Sequence, residues 1–237
     1  HLDHIQKDLT LIDRGAAAGF SSCEVDLSRL PMEENIKGSQ EIVRKMHPLG
    51  ISVEVEEGEV GFAAALKDMQ NVENYYTKVE DAYKLVEATR PDALAIFVGN
   101  GHGNYLETPR IGHGRIKEID EAIREFNVQV VLHGGSGLPP AEFQKAVQAG
   151  AAKFNYGTMM TNILFKHFPE AFMNEMKEAA TAKKTDLRKV LGDFEGRIDG
   201  LSPEILEGAK KEMTEHICFM MKEAFGSSGK AVLWPNG

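Results

Sequence analysis

Three histidines follow strand-like runs of the chain, and their placement defines the chemistry that the sequence can support. His4, His102 and His133 each stand at the carboxyl end of such a run. Neutral imidazoles that converge from three strand ends suit a tetrahedral Zn²⁺ site with one open position for water or substrate. Taken singly, each histidine is more simply a hydrogen-bonded core or loop residue. Their shared placement favours the metal site.

Three carboxylates accompany these histidines at the strand ends. Asp3 directly precedes His4, so it is a candidate general acid/base, or alternatively a partner that orients a ligand imidazole. Asp26 and Glu56 end two further strand-like runs. Two roles stay open for them from the residues alone, because a carboxylate can bind metal or accept hydrogen bonds from loop amides.

Glycine-rich segments close the last three strand-like runs. They cover residues 99–103, 133–137 and 155–158. Glycine lets backbone N–H groups approach a phosphate closely, and Ser136, Asn155 and Thr158 add side-chain donors. The alternative is that these segments are tight turns without a ligand. Three of them beside candidate metal ligands favour a phosphate site.

The elements that position these residues alternate between strand-like and helix-like runs, as in βα units. Strands are predicted for a run that ends in Leu2-Asp3-His4 and for Ser22–Ser28, Ile51–Glu57, Ala93–Gly99, Val128–Gly134 and Ala152–Gly157. Among the helices, Thr77-x-x-Glu80 predicts a capped start, and Pro139-Pro140 with Gly150 bounds a helix over residues 141–149. The chain from Thr161 onward is predicted to be helical, and Ser202-Pro203 opens its last long helix.

Alternation of this kind predicts either a closed barrel or an open doubly wound sheet. No G-x-G-x-x-G follows a first strand, and the polar residues gather at strand carboxyl ends, where barrels carry their function. We therefore predict an α/β fold, a TIM (β/α)₈ barrel whose first two strands precede His1 and are missing from this chain. The predicted domain is a single, N-terminally incomplete barrel over residues 1–237, with residues 159–237 as its C-terminal helical part.

Composition narrows the classes of function. The chain has 27 Lys and Arg against 36 Asp and Glu, and the resulting net charge of −9 argues against a nucleic-acid partner. No apolar run approaches the ~20 residues of a membrane span. The two cysteines, Cys23 and Cys218, cannot form a disulfide framework, which indicates a reducing, cytoplasmic compartment.

Several motifs of the chain resemble those of one enzyme family. They are Leu2-Asp3-His4, Gly19-Phe20-Ser21-Ser22, Asp26-Leu27-Ser28, Glu54-Val55-Glu56, Gly101-His102-Gly103, His133-Gly134-Gly135-Ser136-Gly137 and Asn155-x-Gly157-Thr158. In this order, over nearly the whole chain, they are similar to the class II, zinc-dependent fructose-bisphosphate and tagatose-bisphosphate aldolases.

The resemblance implies an activity and a set of site residues. The activity is aldol cleavage or condensation of a ketose phosphate, giving dihydroxyacetone phosphate and an aldehyde, with Zn²⁺ and a monovalent cation as candidate cofactors. A homo-oligomer is also implied. The implied site has His4, His102 and His133 as zinc ligands, Asp26 and Glu56 as secondary metal carboxylates, Asp3 as proton donor and acceptor, and Gly103, Gly134, Ser136, Asn155, Gly157 and Thr158 around the ketose phosphate.

Two departures from the family pattern bear on the substrate. The family has acidic residues in the segment after the Glu-x-Glu strand, but this chain has Val60–Ala65, so Glu57 and Glu59 become candidates for proton removal. Glu107 stands where a lysine near phosphate is common, and Arg110 is the nearest cation. We expect poor cleavage of fructose 1,6-bisphosphate and a preference for a less anionic far end. The alternative is that the loop glutamates move aside and Arg110 takes the role of the lysine, which would leave the specificity unchanged. Two rival functions are a zinc hydrolase on the same barrel and a non-catalytic relative that keeps metal and sugar-phosphate binding.

Overall fold

The computed structural model describes residues 1–66 and 69–233, and its contacts divide the chain into two compact units. The first unit covers residues 1–155 and alternates strands with helices. Its strands are β1 Leu2–Ile5, β2 Ser22–Val25, β3 Ser52–Glu57, β4 Ala93–Ile96, β5 Gln129–Leu132 and β6 Ala151–Phe154. Its α-helices are α1 Thr10–Ala17, α2 Met32–Met46, α3 Ala63–Leu66, α4 Val79–Thr89, α5 His113–Ile123 and α6 Pro140–Gln148, and short 3₁₀ turns lie at His47–Leu49, Val72–Tyr75 and Arg124–Phe126.

The six strands form one parallel sheet in the order β1-β2-β3-β4-β5-β6. In its register, Glu24 lies beside Glu54, and Val55 lies beside Leu94. The carboxyl ends of all six strands therefore meet at one edge, which is where the candidate site residues stand.

The prediction of a closed (β/α)₈ barrel is wrong. The described strands form an open six-stranded sheet whose edge strands, β1 and β6, each pair with a single neighbour. A closed barrel needs eight strands and a hydrogen-bond ladder between the first and the last. Sequential βα units with polar strand ends are common to a closed barrel and to a partial one, so the sequence pattern did not separate the two. The observed fold is a partial (β/α) barrel.

The strands form because their side chains can be buried on both faces of the sheet, as in other parallel sheets. Val53, Val55, Leu94 and Ile96 are fully buried on one face, and Glu56 and Ala95 are almost fully buried on the other. The helices cover one of these faces through apolar residues at helical spacing. In α5 these residues are Ile116, Ile119 and Ile123, all fully buried.

The observed strands are mostly shorter than the predicted ones at their carboxyl ends. The predicted run Ala93–Gly99 ends as a strand at Ile96, and the run Val128–Gly134 ends at Leu132. Gly99 and Gly134, which follow these ends by three and two residues, have φ values of 91° and 68°, a left-handed conformation that a continuing strand does not adopt. The residues beyond each strand are therefore free to form the loops of the candidate site.

Of the two predicted helix boundaries, one is confirmed and one is wrong. The helix bounded by Pro139-Pro140 and Gly150 is confirmed as α6. The capping box at Thr77 is wrong, because Lys78 is the N-cap of α4 and no side chain caps that helix. The Thr77 hydroxyl instead donates to the Glu57 carbonyl at 2.5 Å and accepts from the Phe97 N–H at 2.9 Å, so it joins the ends of β3 and β4.

The second unit covers residues 156–237 and is helical where it is described, as predicted from Thr161 onward. It contains α7 Thr158–His167, α8 Glu170–Ala182, a 3₁₀ segment Leu187–Phe194, α9 Glu195–Ile198, α10 Pro203–Phe219, a π-helical turn Met220–Ala224 and a 3₁₀ turn Ala231–Leu233. An apolar cluster forms its core: Phe168, Phe172, Met176, Ala180 and Val190. The single-domain assignment over residues 1–237 stays a prediction, and positions 67, 68 and 234–237 of that range lie outside the described residues.

Among the described residues, none of the helices combines the length and apolar character that crossing a bilayer requires.

Candidate metal centre and active site

The three predicted histidine ligands converge at the carboxyl end of the sheet. His4 lies in β1, and His102 and His133 lie in the loops that follow β4 and β5. The ring centroid of His4 is 4.6 Å from that of His102 and 4.4 Å from that of His133. One ring nitrogen from each histidine lies within 4.8 Å of the other two. The arrangement can place three nitrogen donors around one cation.

In the rings of His4 and His133, the nitrogen that bonds a carboxylate determines which other nitrogen faces that centre. Nε2 of His133 lies 2.8 Å from Oε1 of Glu54, and Nδ1 of His4 lies 3.1 Å from Oδ2 of Asp26. Because a carboxylate only accepts, each of these nitrogens carries the hydrogen. The opposite nitrogens, Nδ1 of His133 and Nε2 of His4, lie 2.7 Å apart and keep lone pairs for a cation.

The electrostatics differ between the histidines. Burial first, and then the neighbouring His4 and His133 rings, lowers the pKa of His102 to about 4. This keeps the His102 imidazole neutral, which is the form that binds a metal. For His4, burial acts to lower the pKa, but the hydrogen bond from its ring to Asp26 and the charge of Asp3 raise it above its ordinary value.

Four buried carboxylates lie below the histidines, two on β2 and its following loop and two on β3. Glu24 and Asp26 share one face, as do Glu54 and Glu56, because alternate residues of a strand point the same way. Burial first, and then the charge of Glu54, raises the pKa of Glu24 far above its ordinary value. The pKa of Asp26 is instead held low: burial opposes this, but hydrogen bonds from His4, Gln6 and Ser28 outweigh it.

Two of these buried oxygens fit a cation. Oε1 of Glu24 and Oε2 of Glu56 have no hydrogen-bond partner. The first lies 3.6 Å and the second 3.9 Å from Nδ1 of His4. A buried carboxyl oxygen without a partner is costly, and a cation bound nearby would compensate it and stabilise the ionised form of the carboxyl group. The donor set of imidazole nitrogens and carboxylate oxygens is also one that Zn²⁺ accepts.

Asp3 lies beside this centre, and the backbone of His4 explains how adjacent residues reach the same end. His4 has a φ of 53°, and the register of β1 shifts between Leu2 and Ile5. An unusual left-handed conformation of this kind is often retained at functional sites. Burial acts to raise the pKa of Asp3, but Glu24 and the rings of His4 and His133 hold it below its ordinary value. Oδ1 of Asp3 accepts a hydrogen bond from Nδ2 of Asn155 at 2.5 Å.

The loops that carry His102 and His133 are joined by polar side chains. The Tyr105 hydroxyl accepts from the Gly101 N–H and donates to the Gly134 carbonyl, both at 2.8 Å. A Cβ at Gly134 would lie 2.1 Å from the Gly101 carbonyl oxygen, so only glycine fits there. The buried Asn100 amide donates to the His133 carbonyl at 3.2 Å. These contacts position both histidines relative to one another.

The predicted phosphate residues fall into two groups. Gly103, Gly134 and Ser136 lie in the loops after β4 and β5, and Asn155 ends the first unit. Gly157 and Thr158 belong to the second unit, where Thr158 begins α7 and accepts a hydrogen bond from Arg188. The structure thus brings Asn155 together with Asp3 and His133, and the phosphate-binding role of all six residues stays a prediction.

A family model described as "Fructose-bisphosphate aldolase class-II" matches residues 1–230. The chain belongs to the class II fructose-bisphosphate aldolase family. It is 38% identical over 161 residues to the 6-phospho-5-dehydro-2-deoxy-D-gluconate aldolase of Shouchella clausii, an alignment that covers 67% of this chain and 52% of the relative. It is 34% identical over 203 residues to the D-tagatose-1,6-bisphosphate aldolase subunit GatY of Klebsiella oxytoca, covering 81% of this chain and 69% of the relative.

The crystal structure of the YdjI aldolase from Escherichia coli K12 matches with a TM-score of 0.69 and 27% identity. That match covers 95% of this chain and 69% of the E. coli chain. The chain spans about half the length of the first aldolase relative named above, at 52%.

The segment after β3, where this chain departs from the aldolase family pattern, contacts the candidate site through its backbone. The His102 N–H donates to the Gly61 carbonyl and the Ala63 N–H donates to the His102 carbonyl, both at 2.8 Å. The charged neighbours of Glu57 are Asp81 and Lys78, at the start of α4, and Glu59 is paired with Arg29 at 2.7 Å. The assignment of proton removal to Glu57 or Glu59 stays a prediction that neither contact favours.

Sequence reasoning assigned no role to three residues of the centre: Glu24 and Lys153, which it did not single out, and Glu54, which it named only as part of a motif. Each stands two positions before a residue that was singled out, namely Asp26, Glu56 and Asn155. Because alternate residues of a strand share a face, this spacing was the signal that could have found them. Glu54 and Lys153 are joined by an ion pair of 2.7 Å beside His133.

Proposed function

We propose that this chain carries the metal centre of a class II ketose-phosphate aldolase, a carbon–carbon lyase of carbohydrate metabolism such as glycolysis. The observation that carries the proposal is the convergence of His4, His102 and His133 with Asp3 beside them. The substrate would be a sugar phosphate, and the products would be dihydroxyacetone phosphate and an aldehyde.

His4, His102 and His133 would hold Zn²⁺, and Asp26 and Glu56 would be secondary carboxylates for it or for a further cation. When bound, zinc supplies Lewis-acid polarisation of a substrate oxygen. The protein contributes the neutral state of His102, through its lowered pKa, and the carboxylates that orient the His4 and His133 rings.

Asp3 would hold and move the proton at the hydroxyl group whose carbon bears the bond that breaks. In cleavage its carboxylate accepts that proton, and in condensation its carboxyl group returns it to the aldehyde oxygen. The lowered pKa of Asp3 keeps it ionised and ready to accept. The hydrogen bond from Asn155 fixes the orientation of the carboxylate, which reduces the freedom to be lost in the transition state.

The glycine-rich loops would hold the phosphate group. Gly103 and Gly134 have φ values of 95° and 68°, and such turns can direct successive backbone N–H groups toward an anion. Ser136 and Asn155, which lie in the same unit, would add side-chain contacts to the phosphate and ketose, and the corresponding role of Gly157 and Thr158 stays a prediction from the sequence. A phosphate held in this way positions the reacting carbons near Asp3.

The far end of the substrate would be less anionic than in fructose 1,6-bisphosphate. A cavity of ≈ 280 Å³ borders the loop that carries His102, and its lining includes Ala63, Glu73, Leu106, Glu107 and Arg110. An anion held about 4 Å from one of these carboxylates is repelled by roughly 1–4 kcal/mol over the dielectric range of a surface site. Among the lining residues that the structure describes, Arg110 stands against the two acids Glu73 and Glu107, which favours a neutral or singly charged group.

A substrate panel tests the proposal. The zinc-loaded protein is assayed for retro-aldol cleavage of fructose 1,6-bisphosphate, tagatose 1,6-bisphosphate and monophosphate ketoses, and its bound metal is quantified. We expect one zinc per site and the highest kcat/KM on a monophosphate ketose. Bound zinc without cleavage of any substrate would instead indicate a non-catalytic relative. A kcat/KM for fructose 1,6-bisphosphate of ~10⁴ M⁻¹s⁻¹ or more, above the other substrates, would refute the proposed specificity.

The cellular setting is part of the same proposal. Both cysteines are free in the structure, Cys23 buried and Cys218 exposed, which is compatible with a reducing, cytoplasmic compartment. A homo-oligomer is the proposed assembly, and sedimentation of the purified protein at several concentrations tests it.

A further inference from the structure

Lys153 lies in β6 and joins two side chains of the candidate centre. Its Nζ is 2.7 Å from Oε2 of Glu54 and 2.5 Å from Oδ1 of Asn155. The Lys153 side chain is one-third exposed, whereas that of Glu54 is almost fully buried. A buried carboxylate requires a charged or hydrogen-bonding partner, and Lys153 supplies the charge.

The ammonium group fixes the orientation of the Asn155 amide. Lysine has three donors and no acceptor, so the atom of Asn155 that faces it is the carbonyl oxygen. The amide nitrogen is then directed to the other side, where it lies 2.5 Å from Oδ1 of Asp3 and 3.3 Å from Nε2 of His133. Without Lys153, the amide could rotate and present its oxygen to the Asp3 carboxylate, which would repel it.

The same ammonium group acts on His133 through Glu54. With Oε2 bound to Lys153, Oε1 of Glu54 accepts from Nε2 of His133 at 2.8 Å. This hydrogen bond selects the tautomer that leaves Nδ1 of His133 free to face His4. A single lysine thus orients a candidate zinc ligand and, through Asn155, the candidate proton carrier.

We infer that Lys153 is a positioning residue of the aldolase centre, which holds the tautomer of His133 and the amide orientation of Asn155 together. The inference rests on the proposed function for its kinetic consequence. Its structural consequence, an effect on zinc affinity and on the His133 tautomer, holds whether or not the protein turns over a given sugar phosphate.

The test compares Lys153→Gln, which removes the charge, with Lys153→Arg, which keeps it. Lys45→Gln is the matched control, because Lys45 forms an exposed 2.6 Å pair with Asp13 away from the histidines. Zinc affinity is measured by chelator competition, and long-range ¹H–¹⁵N spectra of the zinc-free proteins give the tautomer of His133. Kinetics are measured on the best ketose phosphate.

We expect Lys153→Gln to lower zinc affinity by ~10–100-fold, the range found for partners that orient metal ligands, and to give a mixture of His133 tautomers. It should lower kcat more than it raises KM, and Lys153→Arg should recover most of each loss. Zinc affinity and tautomer equal to those of Lys45→Gln would overturn the inference.

The wild-type spectrum is a test that needs no variant. A zinc-free wild-type protein with His133 protonated on Nδ1 would overturn the inference even if Lys153→Gln did not fold. If Lys153→Gln shows the expected loss of zinc affinity and the expected mixture of His133 tautomers, but the wild-type protein cleaves none of the ketose phosphates, the positioning role is supported and the proposed function is refuted.

Discussion

The carboxyl ends of β2 and β3 and the core of the second unit bury side chains of opposite character. The strand ends bury Glu24, Asp26, Glu54 and Glu56, all at most 4% exposed, beside His133. The core around α8 buries an apolar cluster of Phe, Met, Ala and Val side chains. Apolar burial stabilises a fold, whereas burying several carboxylates together opposes folding unless cations or hydrogen bonds compensate them. The buried carboxylates therefore indicate a functional site, whereas the apolar cluster contributes to the stability of its unit.

The strongest test of this contrast removes one candidate zinc ligand. We expect His102→Ala to lose tight zinc binding and to lower kcat/KM by ~10³-fold or more, because a Lewis-acid metal contributes several kcal/mol to catalysis. Zinc content and steady-state kinetics measure the two effects. His47→Ala is the control, since the His47 ring is exposed and pairs with Asp92 at 2.9 Å. Wild-type zinc content in His102→Ala would contradict the assignment.

The next effect separates metal binding from proton transfer. Asp3→Ala should leave zinc content nearly unchanged but lower kcat by ~10²–10⁴-fold, the usual loss for a general acid/base. Asp13→Ala serves as the control, because Asp13 forms an exposed pair with Lys45. An Asp3→Ala variant with unchanged kcat on a cleavable substrate would remove Asp3 from the mechanism.

Sequence reasoning found the histidines because their position after successive strands is visible in the chain. The same reasoning could not tell a partial barrel from a closed one, since closure depends on pairing between β1 and β6 rather than on any local pattern. It also missed that Thr77 joins β3 to β4. A Thr-x-x-Glu pattern predicts only the start of a helix and gives no information about contacts with neighbouring strands.

The acid cluster, which consists of the buried carboxylates Glu24, Asp26, Glu54 and Glu56, was only partly predictable for a related reason. Asp26 and Glu56 stand at motif positions, but Glu24 and Lys153 gain their roles from neighbours that are distant in sequence. Glu24 lies beside Glu54 across the β2–β3 ladder, and Lys153 reaches Glu54 from 99 residues away. Such pairings depend on the register between neighbouring strands, which the local motifs used for the prediction do not reveal.

The apolar side of the comparison is tested by Met176→Ala. Met176 is fully buried in the cluster of the second unit, so its truncation should lower the free energy of unfolding by ~2–5 kcal/mol. Zinc affinity should not change, because the candidate ligands lie between residues 4 and 133. Denaturant unfolding measures the stability, and Met221→Ala, at a 44% exposed position, should change it by no more than about 0.5 kcal/mol. A loss below that value in Met176→Ala would show that this cluster does not carry the stability of its unit.

The smallest expected effect concerns Glu57, a carboxyl group next to the acid cluster in sequence. Burial first, and then the charge of Asp81, raises its pKa from 4.5 to about 7. Between these pH values the unfolded chain has lost the proton and the folded protein still holds it. The unfolded state therefore binds fewer protons, and the free energy of unfolding falls as the pH rises from about 4.5 to 7.

Glu57→Gln should remove this contribution, so the stability of the variant should fall less steeply than that of the wild type across the same window. The difference at pH 8 relative to pH 4.5 should be on the order of 1–3 kcal/mol, since one pKa unit corresponds to about 1.4 kcal/mol and partial exposure reduces the full shift. Urea unfolding of the zinc-free proteins measures it without interference from metal binding. Glu59→Gln is the control, because Glu59 is half exposed and paired with Arg29, and its stability curve should run parallel to that of the wild type. If the curve of Glu57→Gln also runs parallel to that of the wild type, burial of Glu57 does not oppose folding. The cost of burying acids at this end of the sheet would then have to come from Glu24 and Glu56, whose pKa values are also raised.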